Sequence, residues 1–109
     1  MAQNFRRYIA RNTGTSAATI FTADSFDTVI GIRCANIHAT SPAAVSVYIN
    51  DGSNDYYLIK NAPIVPGGSL ELIDGGSKIV MLNNDVLKAK SDTASSLDVW
   101  ASFVDAIST

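Results

Sequence analysis

Apolar and polar residues alternate along most of this chain, in runs too short and too regular for helices. Over residues 97–107, Leu97, Val99, Ala101 and Phe103 share one face with Asp105, while Asp98, Trp100, Ser102, Val104 and Ala106 share the other. Over 44–50, Val45, Val47 and Ile49 oppose Ser46, Tyr48 and Asn50. Over 56–60, Tyr56, Leu58 and Lys60 oppose Tyr57 and Ile59. A repeat of two puts successive side chains on opposite faces of an extended backbone, so each run predicts a β-strand. The longest candidate is 28–39. Alternation there sets Val29, Gly31, Arg33, Ala35 and Ile37 against Ile30, Ile32, Cys34, Asn36 and His38. Apolar residues on both faces near its start predict a central strand.

Turn residues punctuate these runs. Residues 65–90 carry the clearest sequence of them: Pro66-Gly67-Gly68, then Asp74-Gly75-Gly76, then Asn83-Asn84-Asp85, with short apolar stretches at 69–73, 78–82 and 86–90 between and after them. Asp51-Gly52-Ser53-Asn54 joins 44–50 to 56–60 and predicts a hairpin, because Asp-Gly accepts the positive φ that tight hairpin turns need. Residues 17–23 add a further strand, and 91–96 form a polar connection. About eight short strands with no convincing helix predict an antiparallel β-sandwich, of jelly-roll or immunoglobulin-like type. Residues 1–12 mix apolar and basic side chains without clean alternation. They read as an N-terminal arm or an edge strand before a sandwich domain spanning 13–109.

Composition narrows the function. With 109 residues, of which 47% are hydrophobic and 17% charged, one domain can build a core and still leave apolar surface outside. A net charge of −2 gives no general attraction to nucleic acid or anionic membranes, and neither is an expected partner. No run approaches the ~20 apolar residues of a spanning helix, and no signal-peptide pattern is visible at the start. Cys34 is the only cysteine and His38 the only histidine, so one chain holds neither an internal disulfide nor a zinc site. On a strand these two residues sit about 13 Å apart, too far to activate a thiol. The loop at 51–55 places oxygen side chains at alternate positions, as calcium loops do. The glycine and the bidentate glutamate of such a loop are replaced by Tyr56 and Ala62. Most acids are aspartates in turns, where they bend or cap the backbone, and no nucleophile, phosphate-loop or dinucleotide motif is present. No catalytic residue, metal or cofactor is expected, and the reading is of a protein that is not an enzyme.

Contact residues are the remaining candidates. Phe5, Arg6, Arg7, Tyr8 and Arg11 form the most basic stretch, suited to docking on a neighbouring subunit. Tyr48 and Trp100 lie opposite the cleanest apolar stripes, where each either finishes the core or meets a partner. Tyr56 and Tyr57, with these two, would also suit a carbohydrate-binding surface.

One stretch runs V-Y-I-N-D-G-S-N-D-Y-Y-L-I-K-N-A-P-I-V-P-G-G-S-L-E-L. It is followed by G-G-S-K-I-V-M-L-N-N-D-V-L-K-A-K-S and by S-S-L-D-V-W-A-S-F-V. With the opening A-x-N-F-x-x-Y, this resembles small virion proteins of tailed bacteriophages, cyanophages especially. The resemblance covers residues 29–104, and its motifs are structural turns. It departs from the usual L-x-x-G-D-x-L at Leu82-Asn83-Asn84-Asp85-Val86-Leu87. The resemblance implies a particle subunit without enzymatic activity, made in the host cytoplasm and residing in the virion. Decoration (cement) of the capsid is the leading role, and a neck or tail subunit the alternative. The implied partners are copies of the chain itself and a major capsid, neck or tail protein.

Overall fold

The computed structural model describes residues 4–23, 27–73 and 79–105. Nine strands are described: β1 (Asn4–Thr13), β2 (Ala18–Thr22), β3 (Asp27–Asn36), β4 (Ala43–Asn50), β5 (Asp55–Ile64), β6 (Ser69–Glu71), β7 (Ile79–Met81), β8 (Val86–Ser91) and β9 (Leu97–Asp105). They form two antiparallel sheets. One runs β1-β9-β3-β6, with β7 also paired to β3; the other runs β2-β8-β4-β5. The chain passes repeatedly between the sheets, and its first and last strands pair with each other. This is the winding of a jelly roll, which decides between the two sandwich types that the pattern left open. The ninth strand arises because one edge strand is split. β6 pairs with β3 around Arg33–Glu71 and β7 around Thr28–Val80, two short pieces along the same neighbour. The predicted turn at Asp74-Gly75-Gly76 falls outside the described residues.

Residues 4–13 belong to the sheet as its edge strand β1, paired with β9 from Asn4 opposite Asp105 to Thr13 opposite Leu97. The mixed pattern has a simple origin: Tyr8 faces the core, Arg7 and Ile9 face out, and an extra residue before Thr13 shifts the register. Asn12 takes up that extra residue with φ of 54°, and its N–H donates to Asp98 Oδ1 at 3.0 Å.

The simple alternation expected for 28–39 is corrected by a bulge. The register of β3 against β9 shifts between Val29 and Gly31. Val29 and Ile32 are therefore both fully buried although three positions apart, while Ile30 turns out to solvent. The apolar residues on both faces thus mark a change of face within one strand. The strand is nonetheless interior to its sheet, between β9 and the β6/β7 pair. Similar shifts occur in β2, where Ile20 and Phe21 are both buried, and twice in β5 against β4, where Asn61 adopts φ of 54°. β5 also runs further than its alternation suggested, through Pro63 to Ile64.

The turns follow their residues. Gly67 has φ of +77° after Pro66, the order that a type II turn requires, and the Gly68 N–H donates to the Val65 carbonyl at 2.9 Å. Asp51 N–H donates to the Asn54 carbonyl across the β4–β5 hairpin, with Gly52 at φ of +101°.

The inward faces of both sheets build one core, in which Ile32, Met81, Leu87, Leu97, Val45 and Val47 are fully enclosed. At one place it becomes aromatic. Tyr8, Phe21 and Phe103 stack nearly parallel, with ring centroids 4.5–5.1 Å apart. This stack ties the edge strand β1 to β9 and to β2 of the opposite sheet. The buried amide of Asn36 holds the other connections. Its Nδ2 donates to the Ser41 and Ile64 carbonyls, and its Oδ1 accepts from the His38 N–H.

Candidate functional site

The residue types that could carry chemistry are placed where they serve the backbone. The thiol of Cys34 is buried; burial, then the charge of Glu71, push its pKa up to about 12. It stays protonated at neutral pH and is a poor nucleophile. His38 lies in the connection after β3, where Nδ1 accepts the backbone N–H groups of Thr40 and Ser41. Asp51 accepts from the Ser53 and Asn54 N–H groups, Asp92 from the Ala44 N–H, and Asp85 from the Leu82 N–H. These bonds hold the carboxyls of Asp51 and Asp92 below the ordinary range. Among the described residues no group of three metal-ligating side chains comes together.

The feature that does gather exposed functional side chains is the outer face of the β1-β9-β3-β6 sheet. The pairing register lines them up. Ile9, Trp100, Arg33 and Glu71 fall on one row across four strands, and Arg7, Ser102 and Gly31 on the next. Because the residues between them face the core, these project together from the opposite side. All of these but Arg7 line a concavity of about 670 Å³, together with Arg11 and Asp98. Gly31 and Ala35 keep the middle lane low, so the larger neighbours stand above it as walls.

Trp100 is the centre of this surface. Its side chain is 49% exposed, its indole N–H donates to Ser102 Oγ at 3.3 Å, and the Arg7 guanidinium lies 5.3 Å from the ring centroid. A cation at that distance is attracted by the ring quadrupole and fixes the ring's orientation. Glu71 joins the site to the fold. Its Oε2 accepts the Ile32 N–H at 3.1 Å just past the bulge, and its Oε1 pairs with Arg33 Nε at 3.3 Å. One carboxylate thus satisfies a backbone donor at the irregular point of β3 and positions a guanidinium on the rim.

The structure separates the sequence candidates. Arg11 and Trp100 are brought together at the concavity, and Arg7 lies over the Trp100 ring. Phe5 is 73% exposed on the same face, in register with Val104. Tyr8 points into the aromatic stack, and Arg6 follows the core-facing side of β1, opposite Phe103. Tyr48 is only 6% exposed; it lies on the other sheet and packs against Tyr57 at 4.9 Å, with Lys60 Nζ 5.0 Å from the Tyr57 ring. Ile9, Gly31, Arg33 and Glu71 belong to the site without having been singled out. The one signal for them was an arginine two residues after a glycine in a strand otherwise apolar.

No family model matches the chain, and comparison with curated proteins finds no match. Solved structures do match in fold. A chain of the acid-stable capsid of Helicobacter pylori bacteriophage KHP30 superposes with a TM-score of 0.65 at 13% identity, covering 99% of this chain and 90% of that one. A pentameric capsid protein from metagenomic phage sequences gives 0.53 at 20% identity and 94% coverage, this chain spanning 62% of its length. A chain from Bacillus endospore appendages, a family of disulfide-linked pili, gives 0.55 at 12% identity, with 98% and 88% of the two chains covered. At these identities the likeness is one of fold.

Proposed function

We propose that this chain is a non-enzymatic structural subunit of a tailed-phage virion and that it sits on the head as a capsid decoration (cement) protein. The observation that carries the reading is the end-to-end correspondence with a chain of a phage capsid of nearly equal size. A jelly roll matched over 99% of this chain and 90% of that one suits a subunit added to a shell. The surface agrees with this. Exposed Trp100, Ile9 and Phe5 beside three arginines make an aromatic and cationic face of the kind that anchors protein contacts. The expected partners are further copies of the chain and the major capsid protein. A neck or tail subunit is the alternative within the same particle, and the two differ in copy number.

The likeness to disulfide-linked pili supports a different assembly, but the chemistry here does not suit it. The single cysteine is fully buried, with its thiol pKa at about 12. Copies of this chain would associate without covalent links.

The test is to image purified particles and to measure copy number against the major capsid protein. A decoration protein gives density on the outer shell and a copy number near that of the shell protein. A neck or tail subunit gives a few copies at one vertex. Absence from purified particles overturns the virion reading altogether.

A further inference from the structure

The outer face of the β1-β9-β3-β6 sheet and the hairpin between β4 and β5 are complementary. Arg11 and Arg33 line the concavity with Glu71 and Asp98, and Arg7 stands over the ring of Trp100. Both acids are already engaged, Glu71 by the Ile32 N–H and Arg33, Asp98 by the Asn12 N–H. Arg11 has no hydrogen-bond or ion-pair partner among the described residues. The site therefore presents surplus positive charge around an exposed indole. The tip of the hairpin has the opposite character: residues 50–58 carry Asp51 and Asp55 with no lysine or arginine and expose Tyr56 and Leu58, while Lys60 lies further along over the Tyr57 ring. The hairpin tip is already shaped. Asp51 Oδ1 accepts two turn N–H groups, and Asn50 Nδ2 donates to Asp55 Oδ1 at 2.6 Å. A preformed tip loses little conformational freedom on docking.

We propose that the β4–β5 hairpin of one copy seats in the Trp100 concavity of the next. Within one chain the two surfaces cannot meet, because the concavity faces away from the sheet that carries the hairpin. Each copy therefore offers one plug and one socket, a head-to-tail interface that builds a ring when its rotation closes. Tyr56 and Leu58 supply apolar contact to Trp100 and Ile9, while Asp51 and Asp55 approach Arg11 and Arg33. This deepens the reading of the chain as a self-assembling virion subunit and rests on it.

Charge reversal on each side tests the pairing. The hairpin variant carries Ser53→Lys and Asp55→Lys, which spare the turn-forming Asp51. The groove variant carries Arg7→Glu and Arg11→Glu, both at exposed positions. Circular dichroism checks that each folds, and sedimentation velocity with native mass spectrometry reads assembly. Association of the unchanged chain weakens, without being lost, as ionic strength rises from about 0.01 to 0.15 M, which shortens the screening length from about 30 to about 8 Å. Each variant alone associates at least about tenfold more weakly. An equimolar mixture of the two recovers association, and a chain with all four substitutions pairs with itself but not with the unchanged chain. Trp100 emission shifts to the blue whenever association occurs.

A chain monomeric up to about 1 mM, the weak end of specific affinity, overturns the proposal. So does assembly indifferent to both reversals, or a mixture that fails to recover. Quenching of Trp100 by oligosaccharides without association assigns the groove to a sugar and likewise overturns it. If imaging finds the chain in particles while assembly ignores the reversals, only the plug-and-socket contact is lost. Absence from particles removes the virion reading and leaves the contact to be judged on its own.

Discussion

Replacing Tyr8 by alanine asks whether β1 is structurally part of the sandwich. Tyr8 stacks on Phe21 at 5.0 Å and on Phe103 at 5.1 Å. Each such pair contributes about 0.5–1.5 kcal/mol, so losing both costs ~1–3 kcal/mol. The ring is half-buried, and returning its apolar neighbours to water at about 25 cal/mol per Å² brings the total to about 3 kcal/mol. Against a domain stability of about 5–15 kcal/mol that is a large fraction. It corresponds to a fall of roughly 10–20 °C in Tm for a domain of this size. The assay is urea unfolding at a concentration where the chain is monomeric, with amide exchange along β1 as a second readout. Tyr8→Phe keeps the stack and should be nearly neutral. Arg7→Ala, which removes an exposed cation–π contact, should cost about 1 kcal/mol or less. A Tyr8→Ala loss below about 1 kcal/mol, with β1 amides exchanging as fast in the parent as in the variant, would refute the argument. The segment would then behave as an appendage.

Three further outcomes are expected. Cys34 should resist a thiol reagent at pH 8 in the native chain and react fully in urea, because burial keeps the thiol protonated; rapid native labelling would contradict its placement. Asn36→Ala should destabilise by about 2–4 kcal/mol, since it leaves one buried carbonyl, one part-buried carbonyl and one part-buried N–H without the partner they share; chemical denaturation measures this. The depressed carboxyl of Asp51 contributes to hairpin order above the unfolded aspartate pKa of about 3.9 and loses that contribution as pH falls through its lower folded value. Protection of the Ser53 and Asn54 amides should therefore drop below about pH 4, and Asp51→Asn should remove that pH dependence.

Much of the architecture could be read from alternation, and the exceptions share a cause. β9 reads correctly because its register against both neighbours leaves Leu97, Val99, Ala101 and Phe103 on one face. β3 does not, because the bulge near Ile30 changes which residues face inward, and two apolar faces look alike in sequence whether they come from double coverage or from a shift. The site was partly visible. Trp100 and Tyr48 are equivalent as sequence signals, each an aromatic on the polar side of a strand. They differ because Tyr57, across the β4–β5 pair, covers Tyr48, whereas Trp100 stays half exposed with Arg7 over its ring. The Arg33–Glu71 pair is set by the β3–β6 register, 38 residues apart in sequence, and no local pattern signals it.

All four borders of the two described sheets are interrupted. β1 and β2 each contain a register shift, β5 contains two and a proline, and the remaining border is divided between β6 and β7, three residues apiece. An unbroken border strand would invite a second molecule to zip on by main-chain hydrogen bonds and continue as a fibril. Among the described residues no border strand offers such a template. Contact with another molecule along these borders is left to side chains, which discriminate between surfaces.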